Sequence, residues 1–130
     1  MRPLWLALAA LGAGMPAQAQ ELPAGWAQLY DVQFVAVSGG GVPALVLRYL
    51  APEIGREGGS LSYDDVAPEL DEICNGDGIL AAASVAALGQ PIAEIVVTVM
   101  DRPIEWGTAD PEATMFREAY LLGEEGCQWQ

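Results

Sequence analysis

Eighteen carboxylates, five basic residues that are all arginine, and no histidine set the chemistry open to this 130-residue chain. Without imidazole there is no Ser-His-Asp or Cys-His nucleophile, no zinc proteinase motif and no imidazole base. Without lysine there is no Schiff base. Carboxylate chemistry remains, alone or with a hard cation. The candidate carboxylate pairs that could share it are Asp64 with Asp65, Asp101 with Glu105, and Glu124 with Glu125. Each has a simpler role as well, in a helix cap, at a strand end and at a hairpin tip. Glycoside hydrolysis needs two carboxyls at a set separation in a cleft with aromatic walls. Trp26, Trp106 and Trp129 could stack a sugar, but large aromatics in a small domain more often fill the core. No catalytic residue is assigned.

Two motifs that promise a bound ion or cofactor fail on inspection. Asp71 to Ala82 carries Asp71, Asn75, Gly76 and Asp77 of a calcium loop, yet Ile73 and Ala82 stand where further ligands belong. Gly39, Gly41 and Ala44 fit a loose dinucleotide fingerprint, but Pro43 leads into a second strand and not into the helix that would receive a pyrophosphate. No cofactor and no metal are expected.

The elements that position these residues begin after an export signal. Arg2, the apolar run Leu4 to Ala13 and Ala17-Gln18-Ala19 predict cleavage near Ala19. The run is too short to span about 30 Å of hydrocarbon, so no membrane insertion of the mature chain is expected. Residues 1–19 are read as the signal, 20–28 as a flexible lead-in, and 29–130 as a single domain. Loss of Arg2 leaves four arginines facing eighteen carboxylates, a formal charge of −14. Such a field repels nucleic acid and suits solubility or an unknown, basic protein partner. A periplasmic or secreted location makes a Cys74–Cys127 disulfide the default, closing a ring worth roughly 4 kcal/mol in the loop-entropy picture.

Ile92 to Arg102 is the longest β-branched run, predicted as the central strand with Ile95, Val97 and Val99 on one face and Glu94, Val96 and Thr98 on the other. Tyr30, Val32, Phe34 and Ala36 alternate with Asp31, Gln33, Val35 and Val37. After Ser38 to Pro43, Leu45, Leu47 and Tyr49 alternate with Val46, Arg48 and Leu50, giving a hairpin. Ser62 to Cys74 reads as an amphipathic helix beginning near Asp64 or Asp65, so that Pro68 falls in its first turn. Asn75-Gly76-Asp77-Gly78 is expected to stop it, with a second short helix over Ile79 to Leu88. Glu112 to Tyr120 suits helix or strand; a second hairpin turning at Gly123 to Gly126 is preferred because it brings Cys127 to the helix. The expected fold is α+β: a small antiparallel sheet of about five strands, two hairpins plus a central strand, covered by one or two helices with one disulfide.

Two loops have the least structural reason for their composition. Ala51 to Gly59 includes Ile54-Gly-Arg-Glu-Gly-Gly59, and Asp101 to Thr114 includes Asp101-Arg-Pro103 and Asp110-Pro-Glu-Ala-Thr114. In these segments, and in the late Cys127, the chain resembles a family of small exported bacterial proteins of unknown function. The resemblance covers most of the mature length and implies a discrete domain from about Leu22, with no activity, substrate or catalytic residue. The candidate binding residues are Arg56, Asp101, Arg102 and Trp106. The expected function is an exported non-catalytic interaction domain, in a narrower form an acidic inhibitor of a cationic enzyme. The alternative is a carboxylate-dependent hydrolase or a calcium-dependent sugar-binding module.

Overall fold

The computed structural model describes residues 22–37 and 41–130. The expected signal segment and the Ser38-Gly39-Gly40 loop tip lie outside the described residues. Five strands form one sheet in the order β1 (Gln28–Val37), β2 (Gly41–Leu50), β3 (Glu94–Met100), β4 (Met115–Gly123) and β5 (Gly126–Trp129). The long β-branched run is its middle strand, as the two-sided apolar pattern requires.

The sheet is mixed. The β1–β2 and β4–β5 pairs are the expected hairpins, but β2 and β3 run parallel, in the register Leu45↔Ile95, Leu47↔Val97 and Tyr49↔Val99. The reason lies in the connection. Helix α1 (Tyr63–Ile73), a π-helical turn (Cys74–Gly78) and α2 (Ile79–Ala87) form a single 25-residue helix about 37 Å long. It carries the chain back along the sheet, so β3 starts at the same end as β2.

Asn75 to Gly78, expected as a helix stop, is therefore a widened turn inside a helix. Neither Gly76 nor Gly78 adopts the positive φ of a helix-ending glycine. Gly78 instead lets the helix lie against the sheet, since a Cβ there would sit 3.3 Å from the Ile95 side chain and 3.5 Å from Cys74 Sγ. Asn75 Nδ2 donates to the Asp71 carbonyl and its Oδ1 accepts from the Cys127 N–H, tying the turn to β5. The helix also starts earlier than expected. Ser62 and Asp65 form a capping box, which moves Pro68 past the first turn. The lost backbone bond there is offset by burial of Val66 and Leu70.

One core fills the space between helix and sheet, from Leu45, Leu47, Ile95, Val97, Val99 and Tyr120 beneath to Val66, Leu70 and Cys74 above. Leu22 and Trp26 pack against its edge. Cys74 and Cys127 are joined as a disulfide across 53 residues of chain. Among the described residues no helix is long and apolar enough to cross a membrane.

Candidate functional site

Three of the four residues singled out by the sequence come together. Arg56 donates to the carbonyls of Pro111 and Ala113 at 3.0 and 3.2 Å, clipping its loop to the segment before β4. The loop can approach so closely because it holds glycines. A Cβ on Gly55 would sit 3.0 Å from Asp101 Oδ2, and one on Gly59 would fall 2.1 Å from the Gly55 carbonyl oxygen. Asp101 accepts the Thr114 N–H at 2.9 Å through Oδ1 and pairs with Arg102 at 3.1 Å through Oδ2. Burial pushes the Asp101 carboxyl up, but the Arg102 and Thr114 bonds outweigh it and leave its pKa below the ordinary value. Arg56 and Arg102 line a hollow of about 240 Å³ with Glu57, Pro111 and Glu112. Asp110-Pro111 makes a tight turn in which Asp110 Oδ1 accepts the Glu112 N–H.

Trp106 stands elsewhere, on the sheet face turned away from the helix. Its ring lies 5.2 Å from the Arg48 guanidinium, and Tyr30 approaches the same group at 5.4 Å. A bulge between Leu29 and Asp31 brings Tyr30 to Arg48, where simple alternation had placed it on the face opposite Asp31. Arg48 donates to both Asp31 oxygens, at 2.8 and 2.6 Å, and to the Ile104 carbonyl at 2.7 Å. This bonding holds Asp31 below the ordinary carboxylate pKa and raises that of Arg48. Arg48 thus fastens both an edge strand and the Asp101–Thr114 loop to β2. Around it lies a hollow of about 230 Å³ bounded by Val46, Thr98, Trp106, Met115 and Arg117 among others.

A third place was not anticipated. Between α1 and the β4–β5 hairpin, Tyr63, Ala67, Pro68, Asp71, Glu118 and Trp129 border a cleft of about 350 Å³. Glu118 accepts from the Tyr63 hydroxyl and the Trp129 indole N–H. Asp71 Oδ1 accepts from the Tyr120 hydroxyl at 2.6 Å. The Tyr63 phenol is pushed up chiefly by its bond to Glu118, and the Tyr120 phenol by burial and then by Asp71. Two of the tryptophans expected in the core are on the surface, Trp106 at 46% and Trp129 at 70% exposure. In each case the ring stands beside a charged or hydrogen-bonding group that helps hold it there.

The candidate carboxylate pairs weighed from the sequence have structural settings: Asp65 caps the helix, Asp101 joins loops and Glu124-Glu125 turns the last hairpin. The pair that shares a cleft, Asp71 with Glu118, is 47 positions apart in the chain. Only the β4 alternation, which turns Glu118 to the same side as Tyr120, hinted at it. Among the described residues no three acidic or thiol side chains gather as a ligand set for a metal.

Residues 7–130 match the profile of a family of unknown function (DUF6497). No curated protein and no solved structure matches the chain.

Proposed function

Since the chain belongs to that family of unknown function, which lends it no activity, we propose that it is an exported, non-catalytic interaction domain. It receives a cationic side chain of a basic protein partner in the cleft between Tyr63, Asp71, Glu118 and Trp129. The observation that carries this reading is the pairing of two carboxylates with aromatic walls in one opening of about 350 Å³. A guanidinium or ammonium there gains cation–π contact with Trp129 and charge-assisted bonds. Glu118 and Asp71 each keep lone pairs beyond those their aromatic donors use. Exposed Asp64 and Glu72 on α1, and the formal charge of −13 over the whole chain, add a field that draws a basic partner in.

Export is supported by the Arg2, Leu4–Ala13 and Ala17-Gln18-Ala19 pattern, with cleavage near Ala19, and by the disulfide, which persists in an oxidising compartment. In its narrower form the domain inhibits a cationic exported hydrolase, such as a lysozyme, by occupying its basic surface. The test is a panel of such enzymes assayed with the oxidised domain and with Asp71→Asn/Glu118→Gln, which keeps hydrogen-bonding groups while removing two charges. Inhibition that weakens about tenfold in the double variant and falls with added salt is expected. Neither inhibition nor binding across the panel would sink the proposal.

A further inference from the structure

On the opposite side of the sheet, one row of the ladder places Asp31, Arg48, Thr98 and Arg117 side by side on four consecutive strands. Neighbours in such a row stand about 4.8 Å apart. Arg48 is spent on Asp31 and Ile104. The other two polar members are not spent. Thr98 is only 4% exposed, and its hydroxyl has no hydrogen-bond partner among the described residues although it borders the 230 Å³ hollow. Arg117 borders the same hollow, is exposed, and forms no ion pair or hydrogen bond with any described residue. Trp106 and Met115 supply apolar walls, and Glu105 stands on the rim.

A hydroxyl that opens on the hollow, beside a guanidinium that no described residue engages, is a donor placed for an anion's oxygen. We infer that this hollow is a binding site for a small carboxylate with an apolar body. One carboxylate oxygen accepts from Arg117 and the other from the Thr98 hydroxyl. The body lies along Trp106, whose ring is held in place by Arg48, and the small volume restricts the ligand to a single ring or a single amino-acid residue. Glu105 on the rim of the same hollow further favours molecules carrying an amine together with the carboxylate. The site is distinct from the acidic cleft and calls for a ligand of the opposite charge. Arg117 and Thr98 would gain nothing from the basic partner proposed above, so either reading can fail without the other.

The probes are benzoate, L-phenylalanine and phenethylamine, titrated into the oxidised domain with two-dimensional NMR and calorimetry as readouts. Benzoate and L-phenylalanine are expected to shift the Trp106 indole resonance, L-phenylalanine the more tightly, and phenethylamine, which lacks the carboxylate, to leave it unmoved. Arg117→Gln and Thr98→Val should each weaken binding about tenfold. Thr98→Val should leave the unliganded domain as stable as before or more so, because it replaces an unpartnered hydroxyl with a methyl on a strand; a merely structural threonine would give the reverse. Silence of both carboxylates to about 10 mM, the weak end of meaningful affinity, would overturn the inference. So would unchanged affinity in Arg117→Gln, or binding of phenethylamine equal to that of L-phenylalanine.

Discussion

Replacing Arg48 with methionine removes the guanidinium that joins β1, β2 and the Asp101–Thr114 loop while keeping most of the aliphatic stem. Two bonds to Asp31, one to the Ile104 carbonyl and contacts with two aromatic rings are lost. Breaking a fully buried ion pair costs about 3–5 kcal/mol and an exposed one about 0–1 kcal/mol. Side-chain exposure here is 7% for Arg48 and 27% for Asp31. The orphaned carboxylate therefore regains some water, and the expected loss is about 2–3 kcal/mol. With a urea m-value of about 1.5 kcal/mol/M, the midpoint falls by about 1.5 M. Trp106 emission should shift to the red in the folded variant as its ring loses the cation. A double-mutant cycle with Asp31→Asn should return a coupling of about 1–2 kcal/mol. The effect also has a sign in pH. Because the folded-state pKa of Asp31 is depressed, its contribution is full above the unfolded value of about 3.9 and is lost as pH falls through the folded value. The advantage of the natural protein over Arg48→Met should thus hold at neutral pH and fade in acid. A midpoint within about 0.3 M of the natural protein's, with unchanged Trp106 emission, would refute the clamp.

Four other outcomes are expected. Cys74→Ala/Cys127→Ala opens a crosslink spanning 53 residues and should lose about 4 kcal/mol in denaturant unfolding. Gly59→Ala, whose methyl would meet the Gly55 carbonyl, should cost about 2–4 kcal/mol and raise proteolysis at the Ala51–Gly59 loop. Pro68→Ala restores a helix bond and should raise the thermal midpoint, by about 5 °C for each kcal/mol gained. Burial, then hydrogen bonds to Asp77 and Asp71, raise the phenols of Tyr49 and Tyr120 above their ordinary pKa. Their contribution is full below about pH 10 and is lost as pH rises further. Phenolate absorbance should show these two ionising only together with unfolding.

Local pattern carried the faces of β2 and β3 and the two hairpins, because period-two alternation and glycine turns act over a few residues, though not the bulge that moves Tyr30; the pairing of Cys74 with Cys127 came from the chain holding two cysteines and an export-signal pattern. The parallel pairing of β2 with β3 was not legible. It follows from Asn75 to Gly78 continuing the helix, where Gly78 serves close approach to Ile95, a tertiary cause that imitates a helix stop in sequence. The same limit applied to the sites. Arg56, Asp101 and Arg102 stood out in glycine- and proline-rich loops and do converge. Trp106 was grouped with them by nearness in the chain, whereas in space it belongs to Arg48. Arg48, Thr98 and Arg117 each looked like one polar residue on a strand, and only the ladder register shows that they share a row.

The proposed interaction turns on whether the cleft of Tyr63, Asp71, Glu118 and Trp129 takes a cation from a basic protein. The Trp129 indole N–H, bonded to Glu118, reports on this directly. Its NMR resonance, assigned with Trp129→Phe, should move in a saturable manner when lysozyme is added at low salt and should stay in place for Asp71→Asn/Glu118→Gln. A resonance that stays put while lysozyme binds elsewhere, or that moves equally in the double variant, would contradict the cationic cleft.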